Sequence, residues 1–224
     1  MTAPDIVARR IGGERQPIAI VDHFYPDPDG LRDFASAAHF EPARRQYPGV
    51  RADLPDTYFH AIRPALTGVL THVFGHRGGV SLLDASFSMV TKPPERLTVE
   101  QQLPHFDAID PARIALVHYL GAENSGGTAF YRHRATGYET VDAARAPAYL
   151  AAVQAEVREE PPAPAYIDGS TGRFEQVSAV DARFNRAVIY RSALLHSGAI
   201  PAGATLSDDP ARGRLTVTAF LLLT

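Results

Sequence analysis

The chain has 224 residues, a formal net charge of −3 and no cysteine. Its length fits one domain with a substantial core, and its 45% hydrophobic and 21% charged residues are typical of a globular protein. Since the chain is slightly acidic and its arginine clusters, such as Arg44-Arg45, are short, we expect no nucleic-acid partner. The absence of cysteine excludes disulfides, thiolate metal sites and a cysteine nucleophile, so any metal needs nitrogen and oxygen ligands.

No stretch of the sequence predicts a targeting or membrane segment. The N-terminal residues lack the apolar core of a signal peptide, and no later stretch has the ~18 apolar residues that a membrane span requires. We therefore expect a soluble, cytoplasmic protein with no membrane partner.

The first 80 residues predict a mixed α/β support for the rest of the chain. Residues 18–21 predict a short strand, and Asp27 can cap a helix whose apolar residues fall on one face. A second helix is predicted over residues 59–73, with Pro64 expected to kink or split it.

Residues 81–224 predict a mainly β core within a single domain that spans 1–224. Short segments rich in β-branched and aromatic residues predict strands at 82–90, 114–120, 128–132, 187–195 and 215–223. Residues 147–158 have helical spacing, and the interval of about 134–184 is interpreted as an inserted helix plus loop. Such an insert is either a lid that shapes a substrate site or a plain packing insertion.

His105 and Asp107 stand two residues apart, so in an extended chain their side chains point to the same side. Two histidines and one carboxylate form the facial triad that holds Fe(II) in non-haem oxygenases, and this pair offers two of the three ligands. The alternative is a hydrogen-bonded histidine beside a turn aspartate, because a short motif is weak evidence by itself. A rival pair, His39 and Glu41, has no supporting residues downstream.

A candidate third ligand lies in the distal half. His196 ends the apolar run 187–195 and is followed directly by Ser197-Gly198, so the sequence predicts an imidazole at a strand end where the chain turns.

The last strand carries a candidate anion-binding residue. Alternate residues from Leu215 to Leu221 are apolar, which places Arg214 and Thr216 together on the other face. A buried guanidinium matches a carboxylate with two parallel hydrogen bonds. Two alternatives are open: Arg214 lies in solvent or in a structural ion pair, or Arg212 is the anion-binding residue instead.

In this order the motifs resemble the double-stranded β-helix Fe(II)/2-oxoglutarate dioxygenases, most closely the prolyl-hydroxylase-like branch. The resemblance covers about half of the chain, residues 81–131 and 186–222. Its pieces are Pro-His105-Phe-Asp107, the segment 114–121, the Gly-Gly turn at 126–127, Leu-His196-Ser-Gly and Gly-Arg214-Leu-Thr.

The resemblance implies a jelly-roll fold and a hydroxylation or related oxidation of a small-molecule or peptidyl substrate by O2. It implies that His105, Asp107 and His196 hold Fe(II). It further implies that Arg214 binds the cosubstrate 2-oxoglutarate, with Thr216 beside it, and that the Tyr119 hydroxyl binds the same carboxylate. An ordinary core tyrosine is the alternative for Tyr119.

The chain departs from the family pattern at two points. Gly121 stands where the family has asparagine, and Arg214 follows His196 by 214 − 196 = 18 residues instead of about ten. Residues 132–134, Arg-His-Arg, are candidates for shaping the substrate pocket. Two other functions are open: a jelly-roll module that binds a small ligand without turnover, and a zinc hydrolase that uses the same three ligands.

Overall fold

The computed structural model describes residues 2–43, 47–121 and 125–224, so the Arg44-Arg45 cluster lies outside the described residues. The described residues form three α-helices, eleven strands, and two short 3-10 helices at Pro94–Arg96 and Val99–Gln102. The α-helices are α1 (Pro28–Ala37), α2 (Tyr58–His72) and α3 (Ala146–Glu159). The strands are β1 (Asp5–Ile11), β2 (Gln16–Asp22), β3 (Glu41–Pro42), β4 (Gly49–Ala52), β5 (Val80–Val90), β6 (Arg113–Tyr119), β7 (Gly127–His133), β8 (Phe174–Asp181), β9 (Arg186–Arg191), β10 (His196–Ala199) and β11 (Leu215–Leu223).

The strands form two antiparallel sheets. The larger sheet has eight strands in the order β1-β2-β9-β6-β11-β5-β4-β3, and the smaller has three in the order β10-β7-β8. The sheets face each other across an apolar core that contains residues of β2, β6 and β9 from the large sheet and of β7 and β8 from the small one. This architecture confirms the predicted fold class, a mainly β jelly roll with flanking helices.

Alternation along the strands creates one core on each side of the large sheet. In β2, Ile18 and Ile20 lie between the two sheets, whereas Ala19 and Val21 lie beneath α1 and α2. A third core lies on the outer side of the small sheet, where Tyr149 of α3 packs. The fold therefore has four layers: helices, large sheet, small sheet and helix.

The alternation predicted for β11 is confirmed. Four alternate residues of this strand lie in the core beneath the helices: Leu215, Val217, Ala219 and Leu221. Thr216 pairs with Tyr119 of β6, which belongs to the core between the sheets. Arg214 and Thr216 therefore start a polar row that faces the interior of the jelly roll.

Five strands are not predicted by the sequence, namely β1, β3, β4, β8 and β10, and the reason is clearest for β1 and β8. All but the last residue of β1 are exposed, so no buried face marks this edge strand, which pairs with β2. The interval 134–184 was expected to hold only a helix and a loop, and this is wrong for β8, which pairs with β7 along its length. Half of the β8 side chains are half-buried, and several are polar, so the strand lacks a clear apolar alternation.

The predicted position of His196 at the end of a strand is also wrong. β9 ends at Arg191, the Leu194 N–H closes a turn onto the Arg191 carbonyl at 3.0 Å, and His196 begins β10 in the other sheet. Residues 187–190 and 192–197 are all buried. Apolarity therefore does not reveal where the chain leaves one sheet for the other.

α2 is continuous through Pro64, so the expected split does not occur. An interior proline costs a helix about 3 kcal/mol. Burial of Ile62, Leu66 and Val69 against the large sheet offsets this cost, since each such side chain contributes about 1.5–3 kcal/mol. Across the described ranges, no helix has both the length and the hydropathy that a membrane-spanning segment needs.

Candidate metal centre

His105 and His196 are neighbours across an antiparallel bridge. The His105 N–H donates to the His196 carbonyl at 2.9 Å, and the His196 N–H donates back at 2.8 Å. Their ring centres lie 4.4 Å apart. The start of β10 therefore holds His196 beside the segment that carries His105.

Asp107 contacts both imidazoles. Its Oδ1 lies 3.7 Å from Nε2 of His105, and its Oδ2 lies 3.5 Å from Nε2 of His196. The Asp107 N–H donates to the Ser192 carbonyl at 2.8 Å, which fixes the loop. One ligand atom from each of the three side chains lies within 4.8 Å of the other two, close enough for all three to bind one ion.

The hydrogen bonds of the site fit a metal. Nδ1 of His196 lies 2.9 Å from the Leu194 carbonyl oxygen, so its proton sits on Nδ1 and Nε2 keeps a lone pair beside Asp107. Asp107 Oδ2 is buried and accepts no hydrogen bond from any described residue. A buried carboxylate oxygen in this state is costly unless a cation balances it. Two nitrogens and one carboxylate suit a divalent transition metal.

The surroundings keep His105 neutral. Desolvation and the neighbouring His196 lower its pKa from 6.5 to about 4, while Asp107 acts in the opposite direction. Neutral imidazole is the form that binds metals, so His105 is available as a ligand at neutral pH.

The rival pair does not form such a site. His39 and Glu41 lie 3.9 Å apart, and their side chains are 88% and 73% exposed. In the described part of the chain, His105, Asp107 and His196 are the one group of three histidine or acidic side chains close enough to share an ion.

Arg214 is buried at the edge of the space between the sheets and is 7% exposed. Its Nη2 donates to the Gly127 carbonyl at 2.8 Å, and its Cζ lies 5.8 Å from the centre of the Tyr119 ring. Its Nε is also buried and has no hydrogen-bond partner within residues 2–43, 47–121 and 125–224. Arg212 is exposed. Of the two arginines, Arg214 has the unused donor inside the fold.

Tyr119 and Thr216 lie next to each other in paired strands, but their hydroxyls differ in what they can offer. The Tyr119 hydroxyl lies 2.6 Å from Oγ1 of Thr128. Burial raises the pKa of Tyr119 while Arg214 opposes the shift, so the hydroxyl keeps its proton. The Thr216 hydroxyl donates to the Ser88 carbonyl at 3.1 Å, which leaves only its lone pairs for a ligand.

The contact of Arg214 and the metal ligand His196 lie at different positions along the β10–β7 pair of the small sheet. In the β10–β7 pair His196 is opposite Phe130, and Gly198 is opposite Thr128, next to the carbonyl that Arg214 contacts. A strand advances ~3.3 Å per residue, so the two positions are roughly 7 Å apart. This separation is on the scale of a five-carbon dicarboxylate.

Two tyrosines at the site were missed in the sequence. The Tyr190 ring lies 4.8 Å from the His196 ring, and burial followed by Asp107 raises its pKa, with Arg214 acting in the opposite direction. The Tyr47 hydroxyl is buried and finds no hydrogen-bond partner among the described residues. Tyr190 could have been proposed as a site residue because it is the aromatic residue of the apolar run 187–195. No sequence pattern identifies Tyr47 as a site residue.

The basic segment 132–134 makes contacts within the fold. Nε of Arg132 donates to Glu139 at 2.9 Å, and Nε2 of His133 lies 3.0 Å from a carboxylate oxygen of Glu156 in α3. Arg134 donates to a loop carbonyl. These side chains therefore tie α3 and its flanking loops to β7.

The departure at Gly121 has a packing reason. Its N–H donates to the Leu215 carbonyl at 2.9 Å, and a Cβ at this position would lie 2.9 Å from the Gly213 carbonyl oxygen. A side chain, whether of asparagine or another residue, would collide with the segment that carries Arg214 into β11.

Solved structures of similar fold are known. HygX from Streptomyces hygroscopicus, with nickel, 2-oxoglutarate and hygromycin B bound, matches with a TM-score of 0.51 at 11% identity, covering 94% of this chain and 84% of that chain. An N-substituted L-amino acid dioxygenase from Burkholderia ambifaria AMMD, in complex with alpha-KG, has a TM-score of 0.47 at 12% identity, covering 100% and 97%. At 11% identity the likeness to HygX shows the jelly-roll fold alone.

No curated protein sequence matches this chain. A family profile described as "Family of unknown function (DUF6445)" matches residues 2–221, which is nearly the whole chain. The chain therefore belongs to this family.

Proposed function

We propose that the protein is an Fe(II)- and 2-oxoglutarate-dependent dioxygenase that uses O2 to oxidise a small-molecule or peptidyl substrate. His105, Asp107 and His196 would hold the iron. Arg214 and Tyr119 would bind the distal carboxylate of 2-oxoglutarate, with Thr216 forming part of the pocket wall. Within the larger superfamily, the prolyl-hydroxylase-like branch stays a prediction.

One observation carries this proposal: a buried carboxylate oxygen and a buried guanidinium donor, both without partners, lie at opposite ends of the same interior space. Asp107 presents a carboxylate oxygen that needs a cation, and Arg214 presents an Nε donor that needs an anion; neither group is satisfied by the residues described. A metal chelated by a dicarboxylate would satisfy both. The spacing of roughly 7 Å along β10 supports a ligand of that length.

Iron bound with 2-oxoglutarate and O2 supplies the oxidation of an unactivated C–H bond, which no side chain of this protein can perform. The protein positions the reactants. His196, with its proton fixed on Nδ1 by the Leu194 carbonyl, presents Nε2 as a ligand. Arg214 and the protonated Tyr119 hydroxyl orient a carboxylate by charge-assisted hydrogen bonds in a buried site.

The unused Arg214 donor also separates this proposal from the two other functions. A zinc hydrolase would use three protein ligands and a water, and it has no role for the buried Arg214 guanidinium that donates to the Gly127 carbonyl. A binding module without turnover would use the pocket but would not consume O2.

Succinate formation tests the proposal directly. Purified protein would be incubated with Fe(II), 2-oxoglutarate and O2, and succinate would be measured with the His196→Ala variant as the inactive reference. Slow succinate release that requires His196 is expected even without a substrate. If hydrolysis of an ester or amide is found without O2 and succinate is absent, the zinc hydrolase takes its place.

A further inference from the structure

The interior face of the large sheet has an apolar half and a polar half. On β2, β6 and β9 the residues of this face that pack against the small sheet are mostly apolar, and Ile18, Ile20 and Val188 are buried there. On β4, β5 and β11 the same face carries polar side chains: Arg51, Asp84, Ser86, Ser88, Thr216 and Thr218. We call these six residues the polar strip.

The exposure of the polar strip increases towards one end, which we call the open end. Along β5 the side chain of Asp84 is 53% exposed, whereas Ser86 is 8% and Ser88 0% exposed. The inner hydroxyls are already paired, since Ser88 and Thr218 lie 2.8 Å apart. The inner hydroxyls of the polar strip are therefore occupied by each other, whereas Asp84 at the open end is accessible to a further molecule.

Arg113 lies at this open end and beside the metal centre. Its side chain lies on the same face of β6 as those of Ala115 and Tyr119, which belong to the core between the sheets. Its Cζ lies 4.8 Å from the ring centre of Phe220 on β11. The Arg113 carbonyl accepts from the Ser192 N–H at 2.9 Å, and the Ser192 carbonyl accepts from the Asp107 N–H at 2.8 Å. Two backbone hydrogen bonds thus join Arg113 to the candidate metal ligand Asp107.

The Arg113 guanidinium has no anion of its own. Its Nε is buried and lacks a hydrogen-bond partner in the part of the chain that the structure describes, where no ion pair involves this side chain. Arg51 lies opposite Ser88 in the β4–β5 pair, and its Nη1 makes a long contact of 3.4 Å with Asp84. The open end therefore combines an unpaired cation, an aromatic ring and a weakly paired carboxylate.

We propose that Arg113 binds a carboxylate of the substrate, and that the substrate is a small organic acid whose apolar part lies against Phe220. This inference rests on the proposed dioxygenase function, since it places the substrate beside the same metal centre. A guanidinium binds a carboxylate through two parallel hydrogen bonds, and partial burial strengthens the pair. Asp84 repels a dianionic phosphate about twice as strongly as a singly charged carboxylate at the same distance, which favours the carboxylate.

Arg191 provides a matched control. It lies on β9 directly beside β6, where it pairs with Ile114. Its side chain therefore lies on the face of the sheet opposite to that of Arg113. Its Cζ lies 5.7 Å from the Phe74 ring, and it donates to the Pro111 carbonyl, both away from Phe220. Arg191→Gln removes the same charge from the other face of the sheet.

The test uses full-length protein loaded with Ni(II) and saturated with 2-oxoglutarate, so that added acids cannot occupy the cosubstrate site. Binding of hippurate, phenylacetate, N-acetylleucine and 4-hydroxybenzoate is measured by ligand-observed NMR, each beside its primary amide, with phenyl phosphate as a further probe. At least one acid is expected to bind about tenfold more tightly than its amide. Arg113→Gln should abolish this preference, Arg113→Lys should keep part of it, and Arg191→Gln should leave it unchanged.

The outcomes separate the two proposals. If 2-oxoglutarate does not bind the Ni(II)-loaded protein, the dioxygenase proposal fails. If 2-oxoglutarate binds but every acid binds like its amide, or phenyl phosphate binds most tightly, the organic-acid inference alone is overturned. It is also overturned if folded Arg113→Gln protein keeps the preference, with folding checked by thermal unfolding.

Discussion

His105 and His196 exchange both of their backbone hydrogen bonds, at 2.9 and 2.8 Å, although they come from distant parts of the chain. Such a pair holds two residues in a fixed register, so the imidazoles keep their relative positions without a metal. The metal centre therefore depends on β10 joining the segment around residue 105, and its ligands are positioned by the backbone.

Replacing Asp107 with alanine should abolish tight metal binding. The variant loses the one anionic ligand, and we expect the affinity for Ni(II) to fall on the order of 100-fold or more. Wild-type protein at 100 times its Kd gains about 2.7 kcal/mol of stability from the metal. Thermal unfolding with and without Ni(II) should show this gain for the wild type and for the control Glu41→Ala. A metal-dependent shift that persists in Asp107→Ala would exclude this residue as a ligand.

Arg214→Gln and Arg212→Gln should have different effects on 2-oxoglutarate binding. Arg214 is buried with a free Nε, so its loss removes a charge-assisted pair, and we expect the Kd of 2-oxoglutarate to rise about tenfold or more. Arg212 is exposed, and its loss should have little effect. Isothermal titration of the Ni(II)-loaded variants measures both. An equal or larger loss of 2-oxoglutarate affinity in Arg212→Gln would show that Arg214 is not the residue that binds the carboxylate.

His118 should make the protein less stable in acid. It is fully buried, and desolvation lowers its pKa to about 4, although its contact with Asn185 opposes the shift. The unfolded chain, with a pKa near 6.5, binds a proton that the folded protein rejects, so the stability conferred by neutral His118 is lost as the pH falls from 6.5 towards 4. Between pH 7 and 5 the loss is about 2 kcal/mol.

Urea unfolding at pH 7 and pH 5 measures this effect. His105 shifts in the same direction, so the comparison is between the wild type and His118→Gln, which retains the other titrating groups. The wild type should lose more stability between the two pH values than the variant. Equal losses would mean that His118 does not contribute.

Asn185 should be a stability hot spot away from the metal. Its side chain accepts from the Tyr25 N–H at 2.8 Å, donates to the Tyr25 carbonyl at 2.9 Å and contacts Nε2 of His118 at 3.0 Å. Asn185→Ala leaves these groups without their partner, and we expect a loss of about 2–4 kcal/mol. Chemical denaturation measures the loss, with exposed Gln154→Ala as the control.

A second variant separates the two roles of Asn185. Its φ of +60° lies in the left-handed region, which glycine adopts without strain. Asn185→Gly should therefore be less destabilised than Asn185→Ala by roughly 1 kcal/mol. If both variants unfold like the wild type, the hydrogen bonds around Asn185 are not important for stability.

Local patterns predicted those parts of the fold and the candidate site that depend on neighbouring residues. The i, i+2 spacing of His105 and Asp107 brings their side chains together because the chain is extended there, and the parity of β11 turns Arg214 and Thr216 inwards. The turn within the apolar run 187–195 could not be predicted, because the residues before and after the turn are both buried.

The remaining site features depend on strand pairing over long distances. Arg113 becomes part of the site only because β6 lies beside β11 and Phe220, and Tyr190 only because β9 carries it under His196. Tyr47 comes from a segment near β4 at the far edge of the sheet order. From a single sequence one can predict at most on which face of its strand each of these residues lies. The neighbouring strand cannot be predicted.

The central claim is that the metal held by His105, Asp107 and His196 is chelated by 2-oxoglutarate anchored at Arg214. Anaerobic addition of Fe(II) and then 2-oxoglutarate should produce a weak visible charge-transfer band. We expect this band to disappear in His105→Ala, to weaken in Arg214→Gln and to persist in Arg212→Gln. Wild-type protein that is folded but binds no Fe(II) and shows no band would contradict the account.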